Sequence, residues 1–121
     1  MDLSPTDLKT LLRLAFGEQI TWLSPIPAET PLVRWVCATI SSVHSGDVLL
    51  GAGNELDTNS IQEADHAGAS AILVLHNKEE PLTLIDTSIP IVLHRTTDDF
   101  REIEKLLSTI LINQRAALME R

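Results

Sequence analysis

The residues best placed for chemistry are a glycine pair, four histidines, one cysteine and one arginine. Gly51-Ala52-Gly53 follows an apolar run and precedes helix-capping residues, the position at which a strand–loop–helix unit holds phosphate. Leu56 stands where a third glycine of that motif belongs, no Lys-Ser or Lys-Thr follows, and Glu55 and Asp57 would repel an anion. A backbone turn needing positive φ is the simpler use of the pair. His44, His66, His76 and His94 are all more than four residues apart and no cysteine accompanies them, so zinc would require fold-back of distant segments. His76 and His94 end two apolar runs and can lie close; exposed polar strand ends are the plainer reading. Cys37 is either a nucleophile with a histidine partner or a small buried thiol on the apolar face of a strand. Ser41, Ser42 and Ser45 have no nucleophile elbow around them. Glu79-Glu80 and Asp98-Asp99 are adjacent pairs, and adjacent residues do not share a face. Arg34, beside Trp35, lies on the less apolar face of a central-looking strand. It either meets a ligand carboxylate or pairs with an acid of the same chain, and the ion pair is the simpler choice.

Composition removes several classes of function. The chain has 121 residues, 17 acids against 9 bases and a net charge of −8. Affinity for nucleic acid rests on Lys and Arg neutralising phosphate, so direct DNA or RNA contact is not expected, and anionic membranes are disfavoured by the same sign. Aromatic residues are 3% with no Tyr, too few for a base- or sugar-stacking platform. The 44% hydrophobic content excludes a disordered chain. The single cysteine cannot close an internal disulfide, which suits a reducing cytoplasm. Met1 to Pro5 carries neither a basic nor an apolar leader region, and the longest apolar run, Ala71 to Leu75, falls far short of the ~20 residues of a membrane span. A soluble cytoplasmic domain is the expectation.

These candidate residues need elements to hold them. Ser4-Pro5-Thr6-Asp7 reads as a helix start with Ser4 as cap, and Leu8, Leu11, Leu12 and Ala15 follow at helical spacing up to Gly17. Gln19 to Leu23 is a short β segment. Pro25, Pro27 and Pro31 mark a connection. Leu32 to Thr39 reads as one strand with Val33, Trp35 and Cys37 on its apolar face. Ser41 to Ser45 is a loop, Gly46-Asp47 a turn, and Val48 to Leu50 a strand ended by Gly51-Ala52-Gly53-Asn54. A helix capped at Thr58, Asn59 or Ser60 runs to about His66 and closes at Gly68. Ser70 to Leu75 is a strand covered on both faces. Asn77 to Glu80 is a loop, and Leu82 to Ile85 is either a helical turn or a short strand. Ile89 to Leu93 is the last strand, with Pro90 marking its start or an edge. Thr96 or Thr97 caps a helix over about 97–121. The whole predicts one α/β domain: a small, partly parallel sheet flanked by helices, with a long C-terminal linker helix.

That last helix carries Phe100, Ile103, Leu107, Ile110, Gln114 and Ala117 at coiled-coil spacing. Phe100, Ile103, Leu106 and Leu107 are expected to cover the sheet. Ile110, Leu111, Ile112, Leu118 and Met119 are expected past the body of the domain, because Ile110 to Arg121 extends roughly 17 Å. Apolar surface of that length implies a homodimer with Ile110 and Ala117 against their mates and Gln114 setting register, or a face for a following domain. No stop signal precedes Arg121, so the helix is expected to continue into a longer protein.

Five segments in order carry a family likeness: Val33-Arg34-Trp35-Val36, Ser45-Gly46-Asp47-Val48-Leu49-Leu50-Gly51, Ala67-Gly68-Ala69-Ser70-Ala71-Ile72-Leu73-Val74, Ile89-Pro90-Ile91-Val92 and Phe100-Arg101-Glu102-Ile103. Together they resemble the N-terminal domain of the purine catabolism regulator (PucR) family of bacterial transcription factors. Residues 113–121 look like that family's linker helix into a GAF-like domain; its helix-turn-helix, at the far C-terminus, has no counterpart here. The resemblance implies a regulatory domain, without catalysis or a bound cofactor, that senses a metabolite or partner and acts through its C-terminal helix. A ligand would lie near the strand ends, among Arg34, His44, Ser45, Gly51, Gly53, Asn54 and His94. The helix surface would be Ile110, Leu111, Gln114, Ala117 and Leu118. The Gly46-Asp47 and Gly68-Ala69 pattern is more distantly similar to the N-terminal domain of Mur ligases, and the alternative it implies is a nucleotide-ligand-binding domain of such an enzyme.

Overall fold

A computed structural model describes residues 6–26, 28, 31–52, 58–76, 89–97 and 99–119. Asp7, in extended conformation, begins the first helix, α1 (Leu8–Phe16). Its carboxylate accepts from the Thr10 N–H at 3.2 Å and from the Thr10 hydroxyl at 2.6 Å. Asp7 is thus the cap that sequence assigned to Ser4, which lies outside the described residues. The expected stop holds: Gly17 has φ 64° and its N–H reaches Arg13 O.

Residues 32–39 were expected to form one strand, yet the chain changes partners at Arg34. Leu32–Val33 (β3) pairs antiparallel with Thr6–Asp7 (β1), whereas Trp35–Cys37 (β4) pairs parallel with Asp47–Ala52 (β5). The Arg34 N–H is taken instead by Gly46 O at 2.7 Å. This break resets the alternation. Val33 and Val36, three residues apart, join one core, and Cys37 joins the other.

The main sheet has the order β2-β7-β6-β5-β4, with β2 at Thr21–Trp22, β6 at Ala71–His76 and β7 at Ile91–Arg95. Strands β4 to β7 are parallel, and β2 runs antiparallel to β7. Arg34 therefore borders an edge strand and not a central one. Gly51 does not end β5; it pairs with Val74 within it, and its backbone has no positive φ. Pro90 immediately precedes β7, an interior strand, where its missing N–H costs no ladder bond.

Strict period-two alternation sorts the apolar side chains to two faces. Val48, Leu50, Leu73 and Val92 meet α1 and the C-terminal helix α3 (Phe100–Met119), while Leu49, Ile72, Val74, Ile91 and Leu93 meet Ile61 and Ala64 of α2 (Thr58–His66). The result is a three-layer α/β domain. Asp99 starts α3 by accepting the Glu102 N–H at 3.0 Å, so the helix begins later than Thr96 or Thr97 would place it. Residues 77–80, expected as a loop, and 82–85, expected as a helical turn or a short strand, lie outside the described residues.

The greatest departure concerns α3. Leu111 is fully buried and Ile110 half-buried against the domain's own core, while Leu106, assigned to the sheet, is exposed. The body of the domain therefore reaches further along the helix than 1.5 Å per residue from Phe100 suggested, because α3 packs on both α1 and β4. Among the described residues no helix is long and apolar enough to cross a membrane.

Candidate functional site

The entry to β5 is held by a clasp of backbone bonds. Gly46 N–H donates to Gly68 O at 2.8 Å, Gly46 O accepts from Arg34 N–H, and the Ser70 hydroxyl donates to Gly46 O at 3.0 Å. Both glycines are in the left-handed region, at φ 89° and 86°. A Cβ on Gly46 would lie 3.0 Å from Arg34 Cβ, and one on Gly68 3.1 Å from Ser45 Cα. The Ser45-Gly46-Asp47 and Ala67-Gly68-Ala69-Ser70 segments are thus explained by chain packing: they bring Arg34, His44 and Asp47 together.

Asp47 is the centre of that cluster, with a side chain only 3% exposed. Its Oδ2 accepts the His44 N–H at 2.9 Å and lies 3.8 Å from His44 Nδ1. Its Oδ1 is 3.2 Å from the Arg34 guanidinium, close enough for charge pairing, but the approach is not aligned and Oδ1 has no hydrogen bond. The ion pair preferred for Arg34 on sequence grounds is therefore present. It leaves the guanidinium 55% exposed, with donors to spare.

Arg34, His44 and Asp47 line a groove of about 490 Å³ at the edge of the sheet. Trp35, Cys37 and Thr39 of the β4 segment line it, with Ser42 and, from α3, Glu104. Burial, with the charge of Asp47 added, pushes the Cys37 thiol up to about 11; the Thr39 backbone opposes this and Glu104 reinforces it. At neutral pH the thiol is protonated, a poor nucleophile. Glu104 is half-buried and makes no hydrogen bond or ion pair with any described residue. Further along α3, Arg115 donates to Arg34 O and stands 5.6 Å above the Trp35 ring. A guanidinium thus covers one end of the open strand edge, a common protection of such edges.

The remaining sequence candidates do not converge on this groove. Ser45 is exposed in the clasp, with its backbone against Gly68. Gly51 lies near the far end of β5, and Gly53 and Asn54 are outside the described residues. His94 is buried, not an exposed strand end: its ring stacks on Phe16 at 3.9 Å and its Nδ1 donates to Gln19 O at 2.8 Å. In register, Leu75 and not His76 is the partner of His94. The expected cluster divides because β5 separates its two ends by roughly 16 Å. The parallel strands also follow chain order, so no reversal opens a crevice between them. Gln114 is half-buried on α3, and nothing is described of the side chains of Ala117 and Leu118. Among the described residues no three His, Cys, Asp or Glu are grouped to hold a metal ion.

Asp47, Glu104 and Arg115 were not foreseen as site residues. An acid opening the apolar run Val48-Leu49-Leu50 was the available signal, since a buried carboxylate demands a cation. Glu104 and Arg115 gave none, because their role depends on how α3 crosses β4. Compared with known protein families, curated proteins and solved structures, the chain shows no match.

Proposed function

We propose that this chain is the regulatory end of a bacterial transcriptional regulator of the PucR kind, a non-enzymatic module that binds a small metabolite or partner and transmits through its C-terminal helix. One observation carries the reading: a single groove is walled by the sheet edge and by α3, and the same helix is tied to that edge through Arg115. An occupant touching Trp35 or Glu104 acts on the packing of α3 directly. The net charge of −8 supports a module that leaves DNA to another part of the regulator. In this reading the regulator is a cytoplasmic homodimer joined through α3 beyond Leu111, where Gln114, Ala117 and Leu118 lie. Ile110 and Leu111 are engaged by the domain's own core and do not form the seam. The Mur-ligase-like alternative gains no observation: Gly46 and Gly68, on which it rests, are accounted for by the packing of the chain at the entry to β5.

Hydrogen exchange of the chain, titrated with a panel of small metabolites, tests the reading. A binding compound should alter protection in residues 34–39 and in 110–119 together, and Arg115→Ala should uncouple the two. A compound that protects the groove and leaves the helix unchanged in the native chain would overturn it.

A further inference from the structure

The groove presents spare donors from a paired arginine and, from α3, an unpaired carboxylate. Arg34 is oriented by a buried carboxylate, yet half of its side chain faces solvent, and the exposed ring of His44 stands beside the same carboxylate. Asp47 holds both in place and is itself shielded, so an occupant meets the guanidinium N–H groups of Arg34 and the ring of His44. From α3, Glu104 brings to the groove a half-buried carboxylate that no described residue pairs, close enough to Cys37 for its charge to act on the thiol. A partly buried carboxylate without a donor is costly, and an incoming N–H group relieves that cost. The Trp35, Val36 and Cys37 segment, Thr39 and Ser42 line the same groove. From Arg34 to Cys37 an extended chain spans roughly 10 Å.

We propose that this groove binds a small zwitterion, its carboxylate held by Arg34 and His44 and its ammonium group by Glu104. This rests on the module reading and names the ligand class. The volume of about 490 Å³ is of small-molecule size. Addition of a peptide strand to the edge is the weaker fit. β4 has only three residues, and both backbone groups of Arg34 are already bonded, to Gly46 and to Arg115. Arg34 suits the carboxylate because its planar fork holds two oxygens at once, which a lysine does not.

The test uses the ω-amino acids glycine, β-alanine, 4-aminobutyrate and 6-aminohexanoate, with butyrate and butylamine as single-charge controls. Amide chemical shifts of the intact chain are followed through the titrations. At least one ω-amino acid should shift residues 34–39, 44 and 104, and bind at least tenfold more tightly than either control. Glu104→Gln should weaken it at least fivefold and leave butyrate unaffected. Arg34→Lys keeps a cation beside Asp47, and it should weaken the zwitterion and butyrate alike. No binding by the series, binding unchanged in Glu104→Gln, or a groove that takes only an extended peptide would each overturn the proposal. Zwitterion binding with no response in residues 110–119 would preserve the proposal and defeat the module reading. Thermal melts are the control for misfolding, and Glu104→Gln, which removes a half-buried unpaired charge, is expected to melt no lower than the native chain does.

Discussion

Replacing Leu111 with alanine separates a docked C-terminal helix from one that leaves the domain. Leu111 is 0% exposed, packed among Leu107, Ile103 and the α1 face. Alanine favours helix at least as well as leucine, so the change isolates packing. Truncating a fully buried leucine costs about 2–5 kcal/mol, the spread reflecting how far the cavity collapses. Taking about 3 kcal/mol, and about 4 °C per kcal/mol for a domain of this size, the midpoint should fall by roughly 12 °C. The neighbouring Ile112, 55% exposed, supplies the control, and Ile112→Ala should stay within about 0.5 kcal/mol. Urea titration followed by circular dichroism at several protein concentrations measures both variants. A cost for Leu111→Ala no larger than that for Ile112→Ala would refute the docking. So would a cost that appears only at concentrations where the chain self-associates, since Leu111 would then be buried between copies.

The clasp predicts opposite behaviour for two glycines. Gly68→Ala should cost about 2–4 kcal/mol, from left-handed strain and contact with the Ser45 backbone, whereas Gly51→Ala, with open space around its Cβ, should be neutral or stabilise by up to ~1 kcal/mol in the same melts. For Arg34 and Asp47, charges 3.2 Å apart attract by about 5 kcal/mol at an effective dielectric of 20 and about 1 kcal/mol in water. Arg34 is half-exposed, so a double-alanine cycle should return a coupling of about 1–2 kcal/mol; additive single costs would show the pair to be energetically idle. Cys37 should alkylate far more slowly at pH 7–8 than an exposed thiol. Burial raises it from the ordinary thiol value of 9.0 to about 11, so its contribution is full below pH 9 and is lost between pH 9 and 11, by about 2–3 kcal/mol. Retained stability up to pH 11 in the native chain, with no difference from Cys37→Ala, contradicts the burial.

Much of this architecture is legible in the residues alone, and for a local reason. A short unbroken apolar run such as Ala71 to Leu75 fits a strand buried on both faces, and the helical spacing in residues 100–111 fits a helix buried on one, so element type and α/β class follow from chain order. Gly17 and Gly68 ended their helices as read, because only glycine adopts their φ without strain. The partner change at Arg34, the edge position of β4 and the burial of Leu111 came from tertiary structure. Each depends on which distant backbone offers a hydrogen bond or a surface: Gly46 O for Arg34, β5 for Trp35 to Cys37, α1 for the far half of α3. The groove belongs to the same class. Arg34 and His44 were visible as isolated polar residues, but the unpaired carboxylate, Glu104, lies 70 positions from Arg34 in the sequence. Periodicity reports which face of an element is apolar; it does not report which element will cover that face, or what charge it will bring.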